Sequence, residues 1–385
     1  MVSTVSSLKP LQGIQLLRAF AALLVVAVHM GGVEIKYAEQ LGMGDSSLLR
    51  SWTRNGIFGV DLFFVISGFI MVYVTQTNDT DRQPLKFLHR RVLRIYPTWW
   101  LFAGLALIGL LVMGVGSSAS EYIEHGGSGY IVKSLLLIPQ PFVPVLSVGW
   151  TLIHEMYFYI VFALLLALRL PNLLGFLAVW AALVILGAYL LEANPHARNI
   201  AELAAHPLTL EFIAGCVTGW LFLNRRLFRP GLVFAVGLTL FLCAFFLSPA
   251  PTPFTLKWGR VLVTTIPCAM MVYGMAGLQP YLKGPLVGAL ARVGDWSYSL
   301  YVSHFLTLLA LPIVLAKLAG IMGATSWLSL GQPGIIDNVI YIAFSLIACL
   351  IVAALGYYLF ERPVLQLSRK LLDGRPPAPI SKQPR

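Results

Sequence analysis

The stretch LLRAFAALLVVAVHM, residues 16–30, is apolar enough to cross a membrane, yet it carries Arg18 near one end and His29 near the other. Ionisable side chains are costly in hydrocarbon, and one that is retained there marks function by default. Eleven residues make about three full helical turns, so Arg18 and His29 share one face. They stand roughly 16 Å apart along the axis. A neutral imidazole can take a proton as general base or carry an acyl group as a covalent relay. A guanidinium recognises phosphate or carboxylate. The structural alternative is that Arg18 snorkels to the interface and His29 bonds a neighbouring helix.

Further polar residues interrupt later apolar runs. FGVDLFFVISGFIMVY holds Asp61 and Ser67, with Gly59 and Gly68 as places where another helix can approach closely. Asp61 either orients an imidazole or satisfies a helix end at the outer interface. FLHRRVLRIYPTWW holds Arg90, Arg91 and Arg94. Arg91 and Arg94 are spaced to share a helix face. They form either a phosphate clamp, because guanidinium forks grip phosphate oxygens in pairs, or a positive anchor on lipid headgroups. Pro97 suits a first helical turn, and Trp99 and Trp100 suit an interfacial belt. SVGWTLIHEMYFYIVF sets Glu155 beside His154, and a buried carboxylate can hold an imidazole in one tautomer. IHEMY lacks the second histidine of a zinc helix, and no metal site is expected. DWSYSLYVSHFL supplies Ser297, Tyr298, Tyr301 and His304. Tyr298, Trp150, Ser67 and His304 are weaker candidates for steadying an oxyanion or holding substrate. Glu361, Arg362 and Pro363 are read as the end of the last helix.

These groups need a bundle to position them. The chain has 385 residues, 58% hydrophobic and 11% charged, with mean hydropathy +0.80. The fold class is all-α, a polytopic membrane protein. About 20 apolar residues span a bilayer, which gives ten spans at 14–33, 57–75, 97–115, 150–168, 173–191, 207–223, 231–247, 261–279, 297–319 and 337–360. Pro312 should kink or break the ninth. The loop 116–149, with SSASEYIEHGGSGY, reads as flexible surface.

Basic residues set orientation. With the N-terminus inside, the outer segments hold seven, Lys36, Arg50, Arg54, Lys133, Arg198, Lys257 and Arg260, against eighteen inside. Both termini are therefore expected in the cytoplasm, in a multi-pass protein of the bacterial cytoplasmic (inner) membrane. The net charge of +11 is a topology signal and not a nucleic-acid footprint. Residues 1–363 form the transmembrane domain, and 364–385 a polar, Pro-rich cytoplasmic tail without fixed structure. The cysteines Cys216, Cys243, Cys268 and Cys349 each lie in a separate apolar run and read as small core residues. No Walker loop, GxSxG elbow or dinucleotide fingerprint is present.

Taken in order, Arg18-x10-His29, GVDLFFVISGF, RRVLRIYP, WTLIHEMYFY, SYSLYVSH and the terminal FERP resemble the acyltransferase-3 family of integral membrane acyltransferases. The opening GIQLLRAFAALLVVAVH is most similar to the stand-alone branch that modifies exopolysaccharides. The resemblance implies O-acyl transfer, usually acetyl, from cytoplasmic acyl-CoA to a hydroxyl of an exopolysaccharide or lipid-linked sugar. Exopolysaccharide assembly proteins are possible partners. It carries His29 over as the essential histidine, Arg91 and Arg94 as the RxxR pair, and Arg18 and Glu155 as functional positions. His154 departs from the pattern, where related sequences often have an acidic residue. On this reading Arg91 and Arg94, with Arg90, hold the phosphates. His29 acts as base or acyl relay, and Glu155 or Asp61 orients it. A small-molecule acceptor such as a macrolide would use the same site. A transporter or flippase is the reading from a different class.

Overall fold

The computed structural model describes residues 11–40, 53–77, 82–113, 117–169, 172–191, 197–224, 228–249, 258–322 and 335–373. These residues are helical throughout their regular structure and contain no strand. The helices are α1 (Gln12–Gln40), α2 (Phe58–Thr77), α3 (Pro84–Met113), α4 (Ser117–Leu135), α5 (Gly149–Leu168), α6 (Leu173–Leu190) and the short α7 (Ile200–Ala204). They continue as α8 (Thr209–Leu223), α9 (Pro230–Leu247), α10 (Arg260–Gly277), α11 (Pro285–Asp295), α12 (Ser297–Met322), α13 (Ile335–Gly356) and α14 (Arg362–Asp373). Among the described residues ten helical segments are long and apolar enough to cross a membrane, the number expected. The side of the bundle at which α1 begins is called here the terminal face. The other side is the opposite face.

Burial separates the inner helices from the lipid-facing ones. In α2, 72% of the spanning window is buried, against 17% in α6 and in α9. Helix α2 packs on α1, α8 and α10. Small residues permit this. Gly59 backs onto the Ala21 carbonyl of α1, and Gly68 onto the Phe212 carbonyl of α8, while Gly215 of α8 backs onto the Val65 carbonyl of α2. A side chain at any of these positions would push two backbones apart. Helix α12 packs on α1 and α13, and α3 on α5, so α1, α2, α3, α5 and α12 surround one interior region.

Several sequence expectations are corrected. Helix α3 starts at Pro84, not at residue 97, so the arginine cluster is helical and Pro97 lies inside the helix. The apolar face of the early turns, with Phe87 fully buried, holds the helix together across the proline. Trp99 is buried, donating to the Ser134 carbonyl at 3.2 Å, whereas Trp100 is half exposed. Packing of Gly149 against the Trp99 ring removes Trp99 from any interfacial belt. The loop 116–149 contains helix α4, with a break at Gly127, where φ is +55°. Helix α12 runs through Pro312 without a break. Glu361, Arg362 and Pro363 do not end the last helix. The chain makes one wide turn at Tyr357–Glu361 and continues as the amphipathic α14. The expected unstructured tail is thus helical as far as Asp373, and residues 374–385 lie outside the described residues.

Candidate active site

Arg91 and Arg94 stand two to three turns inside α3 and line a narrow cavity of about 70 Å³. Arg18 from α1, Ser67 from α2, Glu155 and Tyr159 from α5, and Tyr298 from α12 complete its polar wall. Arg91 is 8% exposed, and its guanidinium lies 5.3 Å from the Phe87 ring centroid and 5.5 Å from that of Tyr159. A side chain so enclosed cannot serve as an anchor on lipid headgroups. Arg18, also 8% exposed, donates to Gln15 Oε1 at 3.1 Å. Arg90, next in sequence, is not in the cavity wall, because adjacent helical residues point about 100° apart.

Glu155 belongs to this arginine cavity and not to His29. Its carboxylate accepts from Ser67 Oγ at 3.3 Å and from the Tyr159 hydroxyl one turn along α5. His154 turns the other way, its ring centroid 4.6 Å from that of His206. The expected orientation of the imidazole by Glu155 is therefore not what the geometry provides. Asp61 does not supply it either. Its Oδ1 accepts from Arg260 Nε at 2.8 Å, with side chains 0% and 2% exposed. Glu211 stands beside Asp61 and accepts from Thr264 Oγ1 at 3.1 Å. The Arg260 guanidinium also covers the Trp150 ring at 5.7 Å. Trp150 thus borders this charge cluster, and lines a separate small cavity with Gln140 and His154, rather than the arginine cavity. Tyr298 commits its proton to the Ile95 carbonyl at 2.7 Å.

His29 stands three turns beyond Arg18 on α1 and is not in the cavity wall. The wall ends where Thr151 Oγ1 and the Tyr301 hydroxyl meet at 2.6 Å. Beyond it the rings of Tyr301 and His304 lie 5.9 Å apart, and those of His304 and His29 4.9 Å apart. His29 Nδ1 is 2.8 Å from the Val25 carbonyl oxygen and 3.3 Å from His304 Nε2. A carbonyl oxygen only accepts, so Nδ1 carries the proton and Nε2 keeps the lone pair. Among the described residues Nε2 has no hydrogen-bond partner, which leaves it available as a base.

One turn from the arginine cavity along α2 and α5, a groove of about 880 Å³ is lined by Thr75, Gln76, Arg82, Gln83, Phe162 and Arg169 among others. The groove and the arginine cavity are separate and share no lining residue. Glu361, held by Ser299 at 2.6 Å, stands near Arg18 and Arg94.

Sequence reading missed Arg260, Glu211, Tyr159 and Thr151 as members of these clusters. A signal existed for two of them. Asp61, Glu211 and Arg260 all fall in the first turn of their helices, and these enter the bundle from the same face.

The comparisons with known proteins agree with this architecture. The acyltransferase domain of the acyltransferase-3 family (Acyl_transf_3) matches residues 11–374. The exopolysaccharide production protein ExoZ of Rhizobium meliloti is 31% identical over 82% of this chain and 91% of its own length. Acyltransferase MdmB of Streptomyces mycarofaciens is 28% identical over 76% of this chain and 77% of its own. The putative peptidoglycan O-acetyltransferase YrhL of Bacillus subtilis is 21% identical over 91% of this chain, which spans 54% of that longer protein. No solved structure matches the chain. The match over almost the whole chain, on a ten-span bundle with a buried RxxR pair, makes this protein a member of the acyltransferase-3 family and an enzyme that transfers acyl groups other than aminoacyl groups.

Proposed function

We propose that this enzyme moves an acyl group, most simply acetyl, from acyl-CoA in the cytoplasm to a hydroxyl of an exopolysaccharide or lipid-linked sugar. The terminal face is then the cytoplasmic side of the bacterial inner membrane, in keeping with the excess of Lys and Arg in its loops. The observation that carries this reading is the buried cavity walled by Arg18, Arg91 and Arg94, one helical turn from a larger groove that also carries arginines. Acyl-CoA is a bulky, phosphate-bearing head on a thin pantetheine arm. The 880 Å³ groove, with Arg82 and Arg169 on its wall, suits the head. The cavity with Arg18, Arg91 and Arg94 suits the phosphates and the arm. The acceptor class rests on the likeness to a protein of exopolysaccharide production.

In this mechanism the arm rises along α1 and the Tyr301 ring turns aside, so that the thioester reaches His29. The sugar oxygen adds to the thioester carbonyl while His29 Nε2 takes the hydroxyl proton. The C–S bond breaks, the thiolate takes the proton from the imidazolium, and an O-ester and free CoA leave. Membranes containing the protein should move labelled acetyl from acetyl-CoA to the glycan, and His29→Ala should abolish this in folded protein. Unchanged transfer by that variant would remove His29 from the chemistry. An acyl-histidine trapped in the absence of acceptor would replace direct transfer with a relay. Loss of one ester from surface glycans on deleting the gene would identify donor group and acceptor together.

A further inference from the structure

Among the described residues no carboxylate reaches the His29 ring. Its Nδ1–H instead points between the Val25 carbonyl at 2.8 Å and His304 Nε2 at 3.3 Å. His304 is itself fixed. Its Nδ1 lies 3.1 Å from the Leu300 carbonyl oxygen one turn back on α12, so that nitrogen holds the ring's proton. A neutral imidazole protonated there has its lone pair on Nε2, the atom that faces His29. The two rings meet edge to face at 63°. His304 has 0% exposure, and Phe305 closes the other side of His29 at 5.4 Å.

We infer that His304 is a positioning residue for His29, its Nε2 lone pair holding the catalytic ring in the Nδ1-protonated form and taking up charge as Nε2 of His29 receives the substrate proton. This rests on the reading of His29 as the base. In a serine hydrolase a carboxylate does this work. Here a second neutral imidazole does it, without adding a formal charge to the membrane interior. The Nδ1–H···Nε2 bond gains strength when His29 becomes an imidazolium, because a charged donor makes the stronger hydrogen bond. The gain therefore falls in the transition state and raises kcat rather than binding. The backbone carbonyl of Val25 keeps the ring in place but cannot follow the charge, being fixed in helix α1.

The test uses the full-length protein in lipid nanodiscs, with acetyl-CoA and the glycan acceptor. His304→Leu fills the space with no acceptor atom. It should lower kcat about a hundredfold, in the range of a general-base contribution, with both KM values within about twofold of wild type. His304→Gln, whose amide oxygen reaches the place of Nε2, should restore at least about a tenth of wild-type kcat. In the unaltered protein, 15N spectra should find the His29 proton on Nδ1. Wild-type kcat in His304→Leu, a parallel rise in KM, or a His29 proton on Nε2 would each overturn the inference. Should the leucine variant not fold, the glutamine variant and the wild-type spectrum decide it. If His29→Ala remains active, the base reading itself fails. If His29→Ala is dead and His304→Leu is normal, only the role given to His304 falls.

Discussion

Two clusters of charge lie inside this bundle, and they are built on opposite rules. At the opposite-face ends of α2, α8 and α10, Asp61, Glu211 and Arg260 are 0%, 0% and 2% exposed. Two carboxyls, Asp61 and Glu211, stand beside one guanidinium, Arg260. Thr264 donates to Glu211, and the Arg260 guanidinium covers the Trp150 ring. In the arginine cavity, Arg18, Arg91 and Arg94 face a single carboxylate in the wall, Glu155, across a hollow. Glu361 and Asp295 stand behind Arg18, outside that wall. The first cluster sets its cation directly against carboxylates of the chain, whereas the second arranges three guanidinium groups around a cavity. Burial of charge thus does not by itself mark an active site. Burial of charge around a cavity, with cations in excess, points to an anionic substrate.

The comparison can be broken from either side. The largest effect should follow replacement of Arg91 and Arg94 by Ala. Two charge-assisted contacts at about 1.5–3 kcal/mol each predict a loss of at least about a hundredfold in kcat/KM for the acyl donor, with unfolding unchanged. Steady-state kinetics beside thermal unfolding in nanodiscs would check both halves. Next, Asp61→Leu combined with Glu211→Gln should cost about 3–5 kcal/mol of stability by leaving Arg260 without an anion, while activity per folded molecule holds. A donor-binding defect equal to that of the arginine variants would erase the distinction between the two clusters.

Adding Arg260→Met to those two should recover most of that stability, since removing the unpaired buried cation removes the cost. A triple variant no more stable than the double one would mean that the cluster does more than balance charge. Gly215→Ala, which drives a methyl into the Val65 carbonyl of α2, should cost about 1–3 kcal/mol by prising α8, and Glu211 with it, from its partner. The smallest effect is expected of Tyr298→Phe. One buried hydrogen bond to Ile95 is lost, about 1 kcal/mol of stability. A collapse of kcat there would instead return Tyr298 to the list of oxyanion donors.

Much of the helix layout was legible in the sequence because a bilayer demands about 20 apolar residues per crossing, and each run announces itself. Helix ends were less legible. The arginine segment before Pro97 is polar enough to read as a loop, yet its turns are helical because Phe87 and Arg91 pack inward. The arginine cavity was partly legible too, since Arg18 and Glu155 are ionisable residues where apolar ones belong, and Arg91 and Arg94 are spaced to share a helix face. What misled was pairing. Asp61 and Glu155 both looked fit to orient His29, because a linear sequence gives depth along a helix but not the direction in which a side chain faces its neighbours.

By itself, then, the sequence determined the ten candidate spans, the depth of Arg18, His29 and Glu155, and the shared face of Arg18 and His29. Periodicity and the cost of charge in hydrocarbon act within one helix at a time. Only the tertiary structure decided partners: Asp61 with Arg260 across 199 residues, Glu155 with the arginines, and His304 with His29 across 275. Those choices depend on the rotation and approach of whole helices, set by small contacts such as Gly59 on Ala21 and Gly68 on Phe212, which no single segment encodes.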